Sequence, residues 1–192
     1  MEHIDNNEYS LFLSLGSNLG NKENNIEIAY KHIEKQIGRI ISKSAFFYSL
    51  PVGFESDNNF VNSVCEVVLN INVYDAFAIT QDIENVMGRI NKSSGGVYGD
   101  SVIDIDLILF GDRIILNDNL IIPHPRFHER EFVLTPLSEI APNRIHPIYN
   151  KTILELKKDM DKKLGNDTWD VLFYKCITYE MNNYLIAREM SV

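Results

Sequence analysis

Leu11, Leu13 and Leu15 alternate with Ser10, Phe12 and Ser14, the two-residue period of a strand over residues 9–15. Gly16-Ser17-Asn18-Leu19-Gly20-Asn21 breaks that strand and leaves Asn21 placed to cap a helix. Ile26, Ala29, Tyr30, Ile33 and Ile37 recur at helical spacing and predict a helix over 22–37, closed by Gly38. A strand follows over 40–48, then a loop over 49–59 with Pro51, Gly53 and Asp57-Asn58-Asn59. Residues 60–71 are rich in Val and Ile and predict a strand; 73–87 predict a helix closed by Gly88. Residues 89–101 lack apolar periodicity and read as a long mobile loop, a frequent carrier of function. Strands over 102–110 and 113–116 flank a Gly111-Asp112 turn. A partly helical 129–140 limited by Pro136 and a helix over 152–164 complete the pattern. Strands linked by hairpins and helices together predict an α+β sandwich, a sheet covered by helices.

The length of 192 residues suits one domain with a short appendage. With 18 Lys plus Arg against 27 Asp plus Glu, the net charge is −9, which argues against nucleic-acid backbones and anionic membranes as partners. No basic-then-apolar leader and no long apolar span is evident, so the expected location is cytoplasmic. Cys65 and Cys176 are too few for a disulfide framework and read as reduced core thiols.

The chemistry-bearing pattern starts at Ile103-Asp104-Ile105-Asp106-Leu107. Alternation puts Ile103, Ile105, Leu107 and Leu109 on a core face and both aspartates on the other, about 7 Å apart. Taken alone, the pair reads first as a charged edge strand that resists aggregation. The same face turns apolar at Ile108 and Phe110, and a covered face favours a second reading. Two close carboxylates repel unless a cation joins them, and such oxygens suit Mg²⁺ with substrate phosphates. Pro123-His124-Pro125-Arg126 and Arg130 supply phosphate-gripping groups, or a loop with surface arginines. Gln81 and Glu84 share one helix face, as ordinary helix surface also does. Residues 51–53 and 60–62 offer an apolar loop, an aromatic and an amide able to sandwich a flat heterocycle, or simply a loop entering a core strand. No nucleophile elbow, zinc spacing or P-loop is present.

The order of these pieces carries more than any one of them. Gly16-Ser17-Asn18, Pro51-Val52-Gly53, Phe60-Val61-Asn62, Gln81-x-x-Glu84, Gly88-Arg89, Asp104-Ile105-Asp106, Pro123-His124-Pro125-Arg126 and residues 136–142 (PLSEIAP) run in one register. This set closely resembles the 6-hydroxymethyl-7,8-dihydropterin pyrophosphokinases of folate biosynthesis, over roughly residues 9 to 160. The resemblance implies an α/β/α sandwich with a ferredoxin-like core, mostly antiparallel. It implies a pyrophosphokinase domain over 1–164; residues 165–192 extend past the usual family end, and their apolar residues at helical spacing read as an appendage docked on the same domain rather than a dimerisation arm. It also implies transfer of pyrophosphate from ATP to the pterin hydroxymethyl group, releasing AMP, with two Mg²⁺ ions held by Asp104 and Asp106. Arg89 matches an arginine of the mobile loop and joins the aspartates as a catalytic candidate. Gln81, Glu84 and His124 match the ATP site, with Arg126 adjacent and Arg130 a basic residue nearby. Val52, Phe60, Asn62 and Phe132 match positions that hold the pterin. The expected assembly is a monomer.

The stretch before the aspartates departs from the family pattern of aromatic, Gly, Pro, Arg. Here it is Tyr98-Gly99-Asp100-Ser101. Tyr98 replaces the aromatic lid over the substrate, while Ser101 stands in place of arginine. Asn91 and Val97 stand where basic residues are frequent. Lys92 is the expected compensating contact to ATP, with Arg113 and Arg126 as further candidates. These departures motivate an alternative, a non-catalytic pterin- or nucleotide-binding relative.

Overall fold

The computed structural model describes residues 10–88 and 99–164. Contacts divide the chain into two compact units, Met1–Lys157 and Lys158–Val192. Of the second unit only residues 158–164 are described, the end of a helix, α4 (Ile153–Lys163), and its flank. The expected appendage over 165–192, with Cys176, lies outside the described residues.

Strands β1 (Ser10–Ser17) and β4 (Phe60–Leu69) form the centre of an antiparallel sheet ordered β2-β4-β1-β5, with β2 at Gly38–Lys43 and β5 at Asp104–Phe110. A short β3 (Phe47–Ser49) pairs with the start of β4. Helix α1 (Lys22–Gln36) links β1 to β2 and α2 (Val73–Val86) links β4 to β5. Each crossover skips one strand, which is the ferredoxin-like order. Asn21 caps α1 through the Asn24 N–H, and Asn72 caps α2 through the N–H groups of Tyr74 and Asp75.

One core lies between the sheet and these two helices, where Leu11, Leu13 and Leu15 meet Ile26 and Ile33 of α1 and Ile83 of α2. Cys65 is buried there, and burial pushes its thiol well above the ordinary range, so it stays protonated. Helix α3 (Glu131–Ile140) packs against β3 and β4 and buries Val133, Leu134 and Leu137, completing the α/β/α layering.

Several expectations are corrected by the observed pairing. The strand over 40–48 is two strands, because at Ser44 the side-chain Oγ, not a backbone carbonyl, accepts the Val64 N–H. The strand at 102–110 starts at Asp104 and carries a bulge: Leu13 pairs with Leu107 but Phe12 with Leu109. The extra residue is Ile108. Leu109 therefore leaves the face of Ile105 and Leu107 for that of Phe12, and Phe110 packs on the α1–α2 core instead. Pro136 does not limit α3, which runs on to Ile140 with Pro136 itself buried. The short strand β6 is Ile115–Leu116, and it pairs with β7 (Ile121–Ile122), absent from the sequence reading.

Candidate active site

Asp104 and Asp106 stand on one face of β5, paired in register with Gly16 and Ser14 of β1. Between them the Ile105 N–H donates to Glu84 Oε1 of α2 at 2.7 Å. Glu84 is only 4 % exposed. Its burial answers the open reading of the Gln81–Glu84 face: Glu84 is no helix-surface residue, and its carboxylate fixes the strand that carries the aspartates. Gln81 lies one turn earlier on α2, half-buried.

The far side of Asp106 is lined by the loop after β7. Arg130 Nη1 lies 3.3 Å and His124 Nε2 3.9 Å from Asp106 Oδ2. The His124 N–H donates to the carbonyl of the bulge residue Ile108 at 2.9 Å, and His124 Nδ1 accepts the Arg126 N–H at 3.2 Å. Burial, reinforced by the Arg130 charge, pulls His124 down to about 4, so it is neutral near pH 7. With Nδ1 occupied as an acceptor, the ring proton sits on Nε2, which makes that atom a donor. The Arg126 side chain is exposed, with Nε 3.8 Å from Glu129 Oε2.

Across Gly16 from Asp104 lies Asn62 of β4, 3 % exposed. Its amide donates to the Phe47 carbonyl and Ser49 Oγ of β3, leaving Oδ1 toward Gly16. A Cβ at residue 16 would stand 3.2 Å from that Oδ1 and 3.8 Å from the Phe60 ring. The glycine therefore keeps a low floor between the amide and the carboxylates. Phe60 meets Phe54 edge-on at 6.0 Å, and the Arg130 guanidinium lies 5.8 Å from the Phe132 ring centroid. Val52 is 59 % exposed on its loop.

Sequence reasoning missed Phe54 and a polar knot around Asp100. Asn18, part of the turn after β1, is buried and exchanges bonds with Ser101. It also donates to Asp100. Asn25 of α1 ties the same turn through Ser17 Oγ and the carbonyls of Leu19 and Val102. Arg89, Lys92 and Tyr98, with Asn91 and Val97, lie outside the described residues.

The donor set suits magnesium. Asp104 and Asp106 offer hard oxygens from one face, and among the described residues no group of three or more His, Cys, Asp or Glu could hold a metal. Two carboxylates completed by substrate phosphates is a usual Mg²⁺ environment. Among the described residues no helix is long and apolar enough to cross a membrane.

The family described as 7,8-dihydro-6-hydroxymethylpterin-pyrophosphokinase (HPPK) matches residues 12–142. A 2-amino-4-hydroxy-6-hydroxymethyldihydropteridine pyrophosphokinase of Porphyromonas gingivalis is 40 % identical over 138 residues, 71 % of this chain and 93 % of that protein. The folic acid synthesis protein FOL1 of Dictyostelium discoideum is 40 % identical over 151 residues, 78 % of this chain but 22 % of that longer protein. Among solved structures, wild-type Plasmodium falciparum HPPK-DHPS superposes with a TM-score of 0.63 at 17 % identity, covering 79 % of this chain and 44 % of the other. That likeness bears on the fold alone. The relatives are named for synthesis or pyrophosphoryl transfer, and none supports the non-catalytic alternative. The chain belongs to the 7,8-dihydro-6-hydroxymethylpterin pyrophosphokinase family, enzymes of pyrophosphoryl transfer in folate biosynthesis.

Proposed function

We propose that this chain transfers the pyrophosphoryl group of ATP to the hydroxymethyl oxygen of 6-hydroxymethyl-7,8-dihydropterin, giving AMP and the pterin pyrophosphate, with Mg²⁺. The observation that carries this reading is the shared face of Asp104, Asp106, Gly16 and Asn62, which sets a carboxylate pair beside a flat, amide-edged floor. Asp104 and Asp106 would hold magnesium, which would supply charge neutralisation and orientation of the triphosphate.

The remaining roles belong to side chains. Neutral His124 donates from Nε2 to a phosphate oxygen, and Arg130 contributes positive charge beside Asp106. Glu84 holds β5 in place, and Gln81 faces the nucleotide from the same helix. Asn62 offers Oδ1 to a donor on the pterin edge, while Phe60, Phe132 and Val52 flank the ring. Arg89 acts from the loop that closes over the reactants, as the family resemblance implies, with Tyr98 in place of the aromatic lid and Lys92 as the compensating contact to ATP. The protein acts in the cytoplasm as a monomer.

Mixing the protein with Mg²⁺, ATP and the pterin, and identifying products by mass spectrometry, tests this reading. AMP plus pterin pyrophosphate is expected. Bound pterin without any product overturns it in favour of the non-catalytic relative.

A further inference from the structure

Asp100 occupies the position where the family pattern has proline, and its carboxylate is not idle. Oδ1 accepts from Asn18 Nδ2 and from Ser56 Oγ, each at 2.6 Å, and Oδ2 accepts from Asn58 Nδ2 at 3.2 Å. Asn18 belongs to the turn after β1, Ser56 and Asn58 to the 50–59 loop, and Asp100 to the lead-in of β5. One side chain thus ties together three segments that are far apart in sequence. The turn side is itself firm. Asn18 is 1 % exposed, its Oδ1 accepts the Ser101 N–H at 2.7 Å, and its N–H donates to the Ser101 carbonyl at 3.1 Å. The loop side is otherwise lightly held. Its last residue is tied through the Asn59 carbonyl to Lys22 Nζ at 3.0 Å, and Ser56 Oγ accepts the Asn58 N–H at 3.1 Å. The same loop carries Phe54 to its edge contact with Phe60, and Val52 two residues before it.

We propose that Asp100 is a positioning residue that latches the 50–59 loop to the Asn18 turn and so presets the aromatic wall of the pterin subsite. The proposal rests on the pyrophosphokinase reading for its substrate, but not for its geometry. A carboxylate suits the task because it accepts several hydrogen bonds at once, which proline cannot do. The three donors hold Asp100 below the ordinary carboxylate range, so it remains an acceptor throughout the neutral range. An ordered loop spares the pterin the cost of fixing it on binding, so the latch acts on pterin affinity and leaves chemistry at Asp104 and Asp106 largely alone.

The test compares wild type with Asp100→Ala and Asp100→Asn. Hydrogen–deuterium exchange without ligand should show residues 50–59 exchanging about tenfold faster in Asp100→Ala. Asp100→Asn keeps Oδ1 as acceptor for Asn18 and Ser56 and should stay close to wild type. In steady-state assays the pterin KM should rise about tenfold in Asp100→Ala, with ATP KM and kcat within about twofold. Should Asp100→Ala fold poorly, Ser56→Ala combined with Asn58→Ala removes the loop-side donors and should raise pterin KM in the same way. Unchanged exchange in 50–59, or pterin and ATP KM rising together, overturns the latch. A wild type that makes no pterin pyrophosphate counts against the proposed reaction instead. The exchange arm, with pterin binding measured by calorimetry, then decides the latch by itself.

Discussion

Glu84 accepts the backbone N–H of Ile105 at 2.7 Å, at the one residue that separates Asp104 from Asp106. A buried acid on a helix thereby sets the height and tilt of two acids on a strand. Removing the acceptor leaves a buried N–H exposed to its full desolvation cost, about 1–3 kcal/mol. Glu84→Ala should lower the stability by that amount, read as a lower melting temperature, and reduce product formation further, because the aspartate pair shifts. Glu84→Gln retains an acceptor oxygen and should recover most of the stability. Thermal melts and initial rates on both variants check the split.

Asp104→Asn separates function from fold in the opposite sense. The carboxylates of Asp104 and Asp106 share one strand face, and neutralising one removes repulsion. Stability should therefore hold or rise slightly, while product formation drops by roughly 100-fold and Mg-ATP binding weakens. A variant with unchanged rate would defeat the proposed metal role.

Gly16→Ala probes the floor of the site. The added methyl meets Asn62 Oδ1 at 3.2 Å, so the amide must yield by a few tenths of an ångström. The pterin Kd should rise about tenfold, which corresponds to ~1.4 kcal/mol. ATP binding should be little affected, and titration calorimetry with each ligand separately reads the difference.

Acid sensitivity should trace partly to His146, far from the aspartates in sequence. Its ring is 2 % exposed, stacks on Phe127 at 5.2 Å, and accepts the Ile148 and Tyr149 N–H groups through Nδ1. Burial, then the neighbouring His128, pulls it from 6.5 down to about 4. The neutral form is thus the one the fold prefers. Its contribution is complete above pH 6.5 and is lost as pH falls through about 4. Melting temperature should decline over that window, and His146→Phe should flatten the decline while losing the two N–H bonds at neutral pH.

The strands and helices around the site were legible because their apolar periods differ, 2 for β1 and 3.6 for α1. The bulge in β5 was not. Leu107-Ile108-Leu109-Phe110 is apolar at every position, so no period reveals a slip, and the register is set by pairing with β1. The aspartates escaped this difficulty because Asp104 and Asp106 precede the slip. Helical spacing placed Gln81 and Glu84 on one face but could not show Glu84 buried against β5. The sequence marks Asp100 only as part of the departure at Tyr98-Gly99-Asp100-Ser101, because its partners Asn18 and Ser56 lie 82 and 44 residues away.

The bulge at Ile108 also divides β5 into two territories. Upstream of it, the strand turns acids to the face shared with Ser14 and Gly16; downstream, the same side carries Leu109 against Phe12, while the Ile108 carbonyl anchors His124. Substitutions at 104 and 106 can therefore retune ligand chemistry without disturbing the packing at 109, and the reverse also holds. One inserted residue gives the strand a measure of evolutionary independence between its two halves.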